Sequence, residues 1–335
     1  MKIKLRYDLS THNTFRMKVS CGCFVEYETV KELEGLNFDK LPKPFLHIGE
    51  GSNLLFTGDF PGTVFHSAID MIKYVDMGLD EVPVIVGAGV RFDDFVAHSC
   101  RHGLWGAENL SLIPGEVGAS AVQNIGAYGV EAGDIIKGVV CFDLRERKSV
   151  KFTHDDCLFG YRDSFFKKPE NRGRYIVTSV LFRLSRKPVP KLDYKGVREA
   201  VSEIEDLSSQ DVREAIIKIR NAKLPDPDQI GSAGSFFKNP VISANQFRLI
   251  SPDGSAPHYE LPDGSIKVPA AYLIDSCGLK GAECGGAAVY EKQPLVIINK
   301  SGCATPRDVL ELERRIVETV RDRYGVTLHP EVDHI

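Results

Sequence analysis

Residues 111–129, SLIPGEVGASAVQNIGAYG, carry the most information about the fold. The part from Pro114 to Gly129 combines Pro-Gly, Gly-Ala-Ser, Asn-Ile-Gly and Tyr-Gly. Its one charged residue is Glu116. Closely spaced glycines let a backbone approach an anion and direct its N–H groups at phosphate oxygens. A glycine-rich, nearly neutral segment that also bears hydroxyl groups therefore predicts a loop that binds a dinucleotide phosphate.

Two further glycine pairs follow short apolar segments, in residues 44–51 (PFLHIGEG) and 83–89 (PVIVGAG). Both segments predict a buried strand that runs into a loop with unusual backbone angles. Neither pair continues as Gly-x-Gly-x-x-Gly and the chain has no Walker A motif, so a Rossmann site and a P-loop are not indicated. One glycine cluster is typical of a tight turn, but three such loops together favour ligand binding.

Length and composition indicate a folded protein of two or three domains, because 335 residues exceed what one hydrophobic core usually serves. The hydrophobic fraction of 43% and charged fraction of 26% are those of ordinary globular proteins. A net charge of -4 offers no broad basic surface for nucleic acid or an anionic membrane. No segment has the pattern of a signal peptide or a membrane span. We therefore expect a cytoplasmic protein that binds no nucleic acid and is not inserted in a membrane.

Periodicity predicts helices and strands in alternation, which is typical of an α+β chain. The predicted helices span residues 91–102, 211–222, 270–277 and 306–324, and glycine follows three of them. The predicted strands comprise two segments within residues 136–152, then 174–184, 294–298 and the tail 326–332. His98 and His102 share a helix face without a third ligand, so we expect no metal site.

Eight short motifs follow one another along the chain: residues 12–15 (HNTF), 49–53 (GEGSN), 113–119 (IPGEVGA), 123–128 (QNIGAY), 159–164 (FGYRDS), 234–240 (GSFFKNP), 285–288 (GGAA) and 330–332 (PEV). In this order they resemble the UDP-N-acetylenolpyruvoylglucosamine reductase family, FAD enzymes of bacterial peptidoglycan synthesis, over nearly the whole chain. Two positions depart from the family pattern. Arg16 follows the first motif where members usually have glycine, and Asp333 stands where many have arginine, which weakens a C-terminal phosphate contact.

The resemblance implies an α+β chain with an FAD-binding fold of the vanillyl-alcohol oxidase / p-cresol methylhydroxylase type, made of two subdomains, and a C-terminal substrate-binding domain. We assign residues 1–75 and 325–335 to the first FAD-binding subdomain, 76–222 to the second, and 223–324 to the C-terminal domain. The implied cofactor is FAD, the co-substrate is NADPH, and the substrate is UDP-N-acetylglucosamine enolpyruvate. We expect a monomer.

In the reaction that the resemblance implies, NADPH reduces FAD, and flavin N5 then delivers hydride to the methylene carbon of the enolpyruvyl ether. The enolate-like intermediate requires a positive charge and hydrogen-bond donors, and Arg162 matches the family's arginine for that task. Ser235 matches the serine that gives a proton to the neighbouring carbon. Glu331 matches a glutamate that donates a hydrogen bond to the enolate, which only a protonated carboxyl can do.

The remaining site residues follow from the same resemblance. Implied cofactor contacts are Gly49, Glu50, Gly51, Ser52, Asn53, Pro114, Gly115, Gly118, Ala119, Ser120, Asn124, Gly126, Tyr128, Tyr161 and Arg220. Implied substrate contacts are Tyr194, Lys223, Asn239 and Gln293. Tyr194 resembles the mobile tyrosine that covers the uridine in the longer, type I, members of the family.

Each catalytic residue also has an ordinary structural interpretation. Arg162 fits a surface ion pair, Ser235 a turn after Gly234, and Glu331 a solvated tail. Two other functions stay open: another flavin oxidase or dehydrogenase, against which residues 234–239 (GSFFKN) argue, and a non-catalytic flavin or nucleotide-sugar binding module. The match of all three residues to one family pattern argues against the binding module.

Overall fold

A computed structural model describes residues 1–75, 78–194 and 196–335. The chain divides into two compact units, and each is built from separate stretches of sequence. The first unit comprises Met1–Tyr7, Cys21–Glu50 and Pro61–Ala222, and the second comprises Asp8–Ser20, Gly51–Phe60 and Lys223–Ile335. The finer division into three domains stays a prediction. Asp76, the first residue predicted for the second FAD-binding subdomain, lies outside the described residues.

Strands and short helices alternate along the chain. The described strands are β1 Lys2–Asp8, β2 Ser20–Tyr27, β3 Phe45–Ile48, β4 Leu54–Leu55, β5 Phe60–Ser67, β6 Ile72–Tyr74, β7 Glu81–Gly87, β8 Gly126–Ala127, β9 Val130–Glu131, β10 Ile136–Asp143, β11 Lys148–Thr153, β12 Tyr175–Ser185, β13 Gly231–Ser235, β14 Val241–Ile242, β15 Tyr259–Glu260, β16 Ile266–Lys267, β17 Glu283–Cys284, β18 Ala287–Val289, β19 Val296–Asn299 and β20 Asp333–His334. The described α-helices are α1 Val30–Glu34, α2 Phe92–Arg101, α3 Val117–Gln123, α4 Ala132–Ile135, α5 Val197–Ala200, α6 Ser209–Lys223, α7 Ala244–Ile250, α8 Ala270–Ser276 and α9 Pro306–Tyr324.

Two sheets organise the first unit. One has the strand order β1-β2-β5-β3, with β3 parallel to β5, and the other is antiparallel in the order β11-β10-β12-β7-β6. Helix α2 packs on the second sheet, where the ring of Phe95 stacks on that of Phe182 with centroids 4.3 Å apart. Both side chains are fully buried, and burial of this kind supplies most of the stability of such a layer.

The second unit is built on a sheet in the order β13-β19-β18-β17, with a small sheet in the order β14-β16-β15 and a parallel pair of β20 with β4. Helix α9 buries one apolar stripe formed by Val309, Leu312, Ile316 and Val320. Thr305 caps its start by accepting a hydrogen bond from Asp308 N, and Gly325 ends it at φ +65°. Among the described residues, no helix combines the length and apolar character needed to span a membrane.

The predicted helices and most predicted strands are confirmed within a few residues, but the tail 326–332 is wrong as a strand. Val326, Leu328 and Val332 are buried, which explains the alternating pattern. The backbone makes only a bridge at Pro330, opposite Phe237, and the strand β20 begins later, at Asp333. Proline has no N–H to extend a ladder, so burial of alternate side chains is present here without strand pairing.

The sequence pattern predicts a loop throughout residues 114–129. The structure differs, because the seven-residue helix α3 lies within this segment. Gly115 precedes this helix at φ +115°, and Asn124 ends it at φ +48°. Val117 and Ala121 bury one face of the helix. A glycine at positive φ thus precedes this short helix, and a left-handed asparagine ends it.

Side chains of the motif at residues 12–15 connect backbone segments of the second unit by hydrogen bonds. Asn13 donates from Nδ2 to the carbonyls of Leu9 and Met17 and accepts from Met17 N at 2.7 Å. Thr14 Oγ1 donates to Ser232 O at 2.6 Å. Arg16 then adopts φ +58°, a left-handed conformation that favours glycine, which accounts for the glycine usual at this position in the resembling family.

Candidate active site

The three glycine loops meet in the first unit. Gly118 N donates to Ala88 O at 3.0 Å, and Val117 N donates to Val90 O at 2.9 Å, which joins α3 to the loop after β7. Gly115 N donates to Glu50 Oε2 at 2.7 Å, which joins the same segment to the loop after β3. The structure therefore brings together loops that the sequence suggested only by their shared composition.

Close approach explains why glycine occupies two of these positions. A Cβ at Gly118 would lie 2.9 Å from Ala88 Cβ, and one at Gly49 would lie 3.2 Å from Glu116 Cβ. In the second unit, Gly51 has φ +68°, and a Cβ there would lie 2.2 Å from His12 O. Glycine at these positions thus lets the loops pack closely against neighbouring segments.

Asn124 holds the end of α3 to the neighbouring loops. Its Nδ2 donates to Glu131 Oε2 and to Gly160 O, each at 2.8 Å, and its Oδ1 accepts from Gly133 N at 2.8 Å. Ser120, another predicted cofactor contact, is buried and donates from Oγ to Val117 O, whereas Ala119 is exposed. Asn124 and Ser120 are therefore already engaged in shaping this segment.

Arg162 lies against the same segment and adopts φ +54°. Its Nη2 donates to Gly126 O at 2.6 Å, and its Nη1 lies 3.5 Å from Asn124 O. The side chain of Arg162 is only 17% exposed, and Glu131 Oε1 lies 4.0 Å away, too far for a tight ion pair. The guanidinium also lies over the ring of Tyr161, 5.4 Å from its centroid. Backbone carbonyls position this arginine, which disfavours the interpretation of a simple surface ion pair.

A second cluster connects Tyr128, Tyr194 and Arg220. Tyr128 has φ +49°, its ring meets that of Tyr194 edge-on at 5.1 Å, and burial raises the pKa of its phenol. The Nε atom of Arg220 is buried and has no hydrogen-bond partner within residues 1–75, 78–194 and 196–335. A buried guanidinium N–H without a partner is costly, so this atom fits a cofactor acceptor.

An ion pair between Asp93 on α2 and Arg213 on α6 supports this region. Arg213 Nη1 and Nη2 donate to the two carboxylate oxygens at 2.6 and 2.8 Å, and Leu112 N donates to Oδ1 at 2.5 Å. Burial opposes the charge, but these donors hold the pKa of Asp93 below its ordinary value. The sequence pattern did not reveal this pair, because its partners are 120 residues apart.

We expect Arg213→Met to lower the free energy of unfolding by about 2–3 kcal/mol, since it leaves the Asp93 carboxylate largely buried without its counter-charge. Urea denaturation followed by circular dichroism measures the change. Arg198→Met is the matched control, because Arg198 pairs with Asp193 at the surface and should contribute under about 1 kcal/mol. Equal losses in the two variants would contradict the structural role of the Asp93 pair.

Ser235 ends strand β13 in the second unit. A β-bulge separates its pairing with Val296 from the preceding pairs, and Gly234 in the bulge has φ +71°. Ser235 is exposed, while the two residues after it, Phe236 and Phe237, are buried at 0% and 1% exposure. The bulge and the two anchored rings thus present the hydroxyl on a rigid strand end.

Glu331 lies beside this strand end within the second unit. Glu331 N donates to Phe236 O at 2.8 Å, and Asn53 Nδ2 donates to Glu331 O at 3.0 Å. Asp333 N donates to Asn53 O at 3.0 Å, which continues the contact toward β20. Ser235, Asn53 and Glu331 therefore come from three distant parts of the sequence to one hydrogen-bonded region, and Glu331 is not a free solvated tail.

The predicted substrate contacts are distributed over both units. Tyr194 belongs to the first unit, while Lys223, at the exposed end of α6, belongs to the second. Asn239 Oδ1 accepts from Ala270 N at 2.9 Å, so its oxygen fixes the start of α8. Gln293 lies in the turn before β19, the strand that pairs with Ser235.

Comparisons with known proteins agree with this arrangement. The family model described as "FAD binding domain" matches residues 37–145, and the model described as "UDP-N-acetylenolpyruvoylglucosamine reductase, C-terminal domain" matches residues 226–335. The UDP-N-acetylenolpyruvoylglucosamine reductase of Bacteroides fragilis strain YCH46 is 46% identical over 98% of this chain and 99% of its own length. That of Porphyromonas gingivalis strain W83 is 43% identical over the full length of both chains.

A solved structure gives the same result for the fold. The crystal structure of the reductase from Thermus caldophilus aligns with a TM-score of 0.68 at 26% identity, covering 99% of this chain and 98% of that one. The predicted α+β flavin fold with a C-terminal domain is confirmed by these matches. Taken together with the two full-length relatives, they show that the chain belongs to the UDP-N-acetylenolpyruvoylglucosamine reductase family.

Proposed function

We propose that this chain reduces UDP-N-acetylglucosamine enolpyruvate to UDP-N-acetylmuramate, with NADPH as reductant, in the synthesis of peptidoglycan precursors. Membership of the family makes it an FAD-dependent oxidoreductase. The observation that carries the assignment is that the backbone of Glu331 bonds to Phe236, the residue after the exposed Ser235, in the second unit. A hydroxyl proton donor held at a strand end is what the reduction of an enol ether requires.

The residues of the first unit fit FAD. The loops at residues 49–50 and 114–128 lie within the stretch that matches the FAD binding domain model, and Arg220 Nε is a buried donor without a partner among the described residues. We assign Gly51, Ser52, Asn53 and Tyr161 to the same cofactor. FAD, when bound, supplies the hydride that reaches the methylene carbon of the substrate.

Residues of the chain stabilise the negative charge that develops on the substrate and supply the proton. Negative charge develops on the substrate carboxylate and its α-carbon, and we assign the guanidinium of Arg162 to stabilise it. Ser235 Oγ donates the proton to that carbon, and we assign the side chain of Glu331 to the enolate oxygen. We assign Tyr194, Lys223, Asn239 and Gln293 to the nucleotide sugar.

The proposal extends to the setting of the enzyme. Its two reactants are nucleotides of the cytoplasm, so we place the protein there, acting as a monomer without nucleic-acid partners. Sedimentation equilibrium of the purified protein measures the oligomeric state, and a stable dimer would contradict the monomer.

A direct assay tests the function. Purified protein should be yellow and should oxidise NADPH only when UDP-N-acetylglucosamine enolpyruvate is supplied, with UDP-N-acetylmuramate as product by mass spectrometry. A colourless protein that does not take up FAD, or a yellow one that is inactive with this substrate, would overturn the proposal. Turnover of an unrelated alcohol in its place would support another flavin oxidase.

We expect Gly118→Ala to raise the dissociation constant of FAD by about 10-fold, because the added Cβ collides with Ala88 and displaces the loop. Quenching of flavin fluorescence on binding measures this constant. Gly35→Ala is the matched control, since the nearest heavy atom to a Cβ there is Lys31 O at 3.5 Å, an ordinary contact. An unchanged FAD affinity in Gly118→Ala would remove this loop from the cofactor site.

A further inference from the structure

A chain of buried polar side chains lies behind the glycine loop of the first unit. His66, on β5, places Nε2 2.8 Å from Glu116 Oε1 and Nδ1 3.1 Å from Glu26 Oε2. The side chains of His66, Glu116 and Glu26 are 13%, 7% and 17% exposed. Lys2 Nζ lies 2.6 Å from Glu26 Oε1 and extends the chain to the surface. Both ring nitrogens therefore face carboxylates, as they do around an imidazolium.

Glu116 is an unusual residue for a loop that receives phosphates. It lies directly between Gly115 and α3, and a carboxylate in a poorly solvated loop repels a second anion. Its side chain is nevertheless part of the packing, because a Cβ at Gly49 would lie 3.2 Å from both its Cβ and its Oε2. The loop thus retains a buried negative charge that must be balanced before a phosphate can bind nearby.

The groups that face His66 determine its charge. Strand β2 contributes Glu26 and Tyr27, β3 contributes His47, and Glu50 lies beyond Glu116. Burial lowers the pKa of His47 to about 3 and raises that of Tyr27 far above its ordinary value, so both are neutral. The charged groups that contact the His66 ring are the carboxylates of Glu26 and Glu116. Farther out, Lys2 pairs with Glu26, and Arg91 Nε lies 2.9 Å from Glu50 Oε1.

These neighbours favour protonated His66. Burial opposes the charge, yet hydrogen bonds and Coulomb attraction from Glu116 and Glu26 raise the pKa of His66 above 6.5. Burial also raises the pKa of Glu116, and His66 opposes that shift. The two facing carboxylates therefore favour the protonated, positively charged form of His66 over the neutral form.

We propose that His66 is a positioning residue that neutralises Glu116 and so lets the loop of residues 114–118 hold the phosphates of FAD. This inference rests on the proposed use of that loop for FAD. Because the folded pKa of His66 is raised, its contribution is complete below the ordinary value of 6.5 and is lost as the pH rises through the raised value. Above it, the Glu116 carboxylate behind the loop loses the positive charge of His66.

The test compares two flavins that differ in phosphate. Full-length protein freed of its flavin is titrated with FAD and with riboflavin, which has no phosphate, from about pH 6 to about pH 9. We expect His66→Gln to weaken FAD binding by about 10-fold at the acid end of this pH range, equal to about 1.4 kcal/mol. The variant should also lose the pH dependence of FAD affinity. Riboflavin affinity should change by less than about 2-fold, because the lost charge acts on phosphate.

Two further variants test the role of His66 if His66→Gln alone is poorly folded. The double variant Glu116→Gln with His66→Gln carries neither charge and should regain most of the FAD affinity. Glu26→Gln removes one carboxylate partner of His66, so the pH at which FAD affinity falls should move lower. Thermal unfolding of each flavin-free protein reports whether the fold is intact.

The outcomes separate this inference from the function on which it rests. Equal weakening of FAD and riboflavin by His66→Gln, or a pH dependence that survives in that variant, would overturn the inference. If Gly118→Ala weakens FAD binding while His66→Gln does not, only the role of His66 fails. If Gly118→Ala leaves FAD binding unchanged, the loop assignment itself fails.

Discussion

Ser235→Ala should slow reduction of the enolpyruvyl substrate by about 10²-fold or more, while reduction of the bound flavin by NADPH continues at nearly the wild-type rate. The physical reason is that the alanine variant lacks the proton that must reach the substrate carbon after hydride transfer. Stopped-flow absorbance separates the two half-reactions, because the oxidised flavin absorbs visible light and the reduced flavin does not.

The surroundings of Ser235 make this a clean substitution. The residue is exposed at a strand end anchored by buried Phe236 and Phe237, so loss of one oxygen should not disturb the fold. Ser235→Cys keeps a proton donor and should recover part of the rate. Ser265→Ala, at a half-buried position after the exposed turn of residues 262–264, serves as the control. Equal slowing of both half-reactions by Ser235→Ala would contradict the assigned role.

Arg162→Gln should lower the rate of the same step by about 10²–10³-fold, the usual cost of removing a group that stabilises developing negative charge. Glutamine cannot supply the positive charge that balances the enolate. The measurement is single-turnover reduction of the substrate at saturating FAD, so that a change in cofactor affinity does not enter the rate.

Arg162→Lys distinguishes charge from geometry. Lysine keeps the charge but cannot reproduce the fork of donors that contacts Gly126 O and approaches Asn124 O, so partial activity is expected. Gly126→Ala provides an independent check, since its Cβ would lie 2.8 Å from Arg162 Nη1 and displace the guanidinium. Wild-type rates in both Arg162→Gln and Gly126→Ala would remove this arginine from the reaction.

Local patterns predicted the parts of the fold that local interactions determine. Helix α9 has its cap at Thr305, its apolar stripe and its final glycine within one stretch of sequence, and the structure contains each of them. The tail 326–332 failed because burial in alternate positions does not require a strand partner. Helix α3 was missed because it has only seven residues within a glycine-rich segment and contains Gly118 itself.

The candidate site shows the same division between local and distant information. Motifs predicted Ser235 and Glu331 separately. What links their two segments is the hydrogen bond from Glu331 N to Phe236 O, between residues that are far apart in sequence. His66 had no motif, since its carboxylate partners lie 40 and 50 residues away. The one signal available was Glu116, the single charge within an otherwise neutral glycine-rich segment.

The discontinuous second unit has a consequence for biosynthesis. Asn53 bonds to Glu331, 278 residues later, and at about 5–20 residues per second translation of that interval takes on the order of tens of seconds. During that time the edge of β4 has no β20 to pair with, and an unpaired strand edge is a site for misassociation. Residues 331–334 thus both complete the sheet contact of this unit and supply Glu331, so a chain truncated before them would lack the partner of β4 and this carboxyl group.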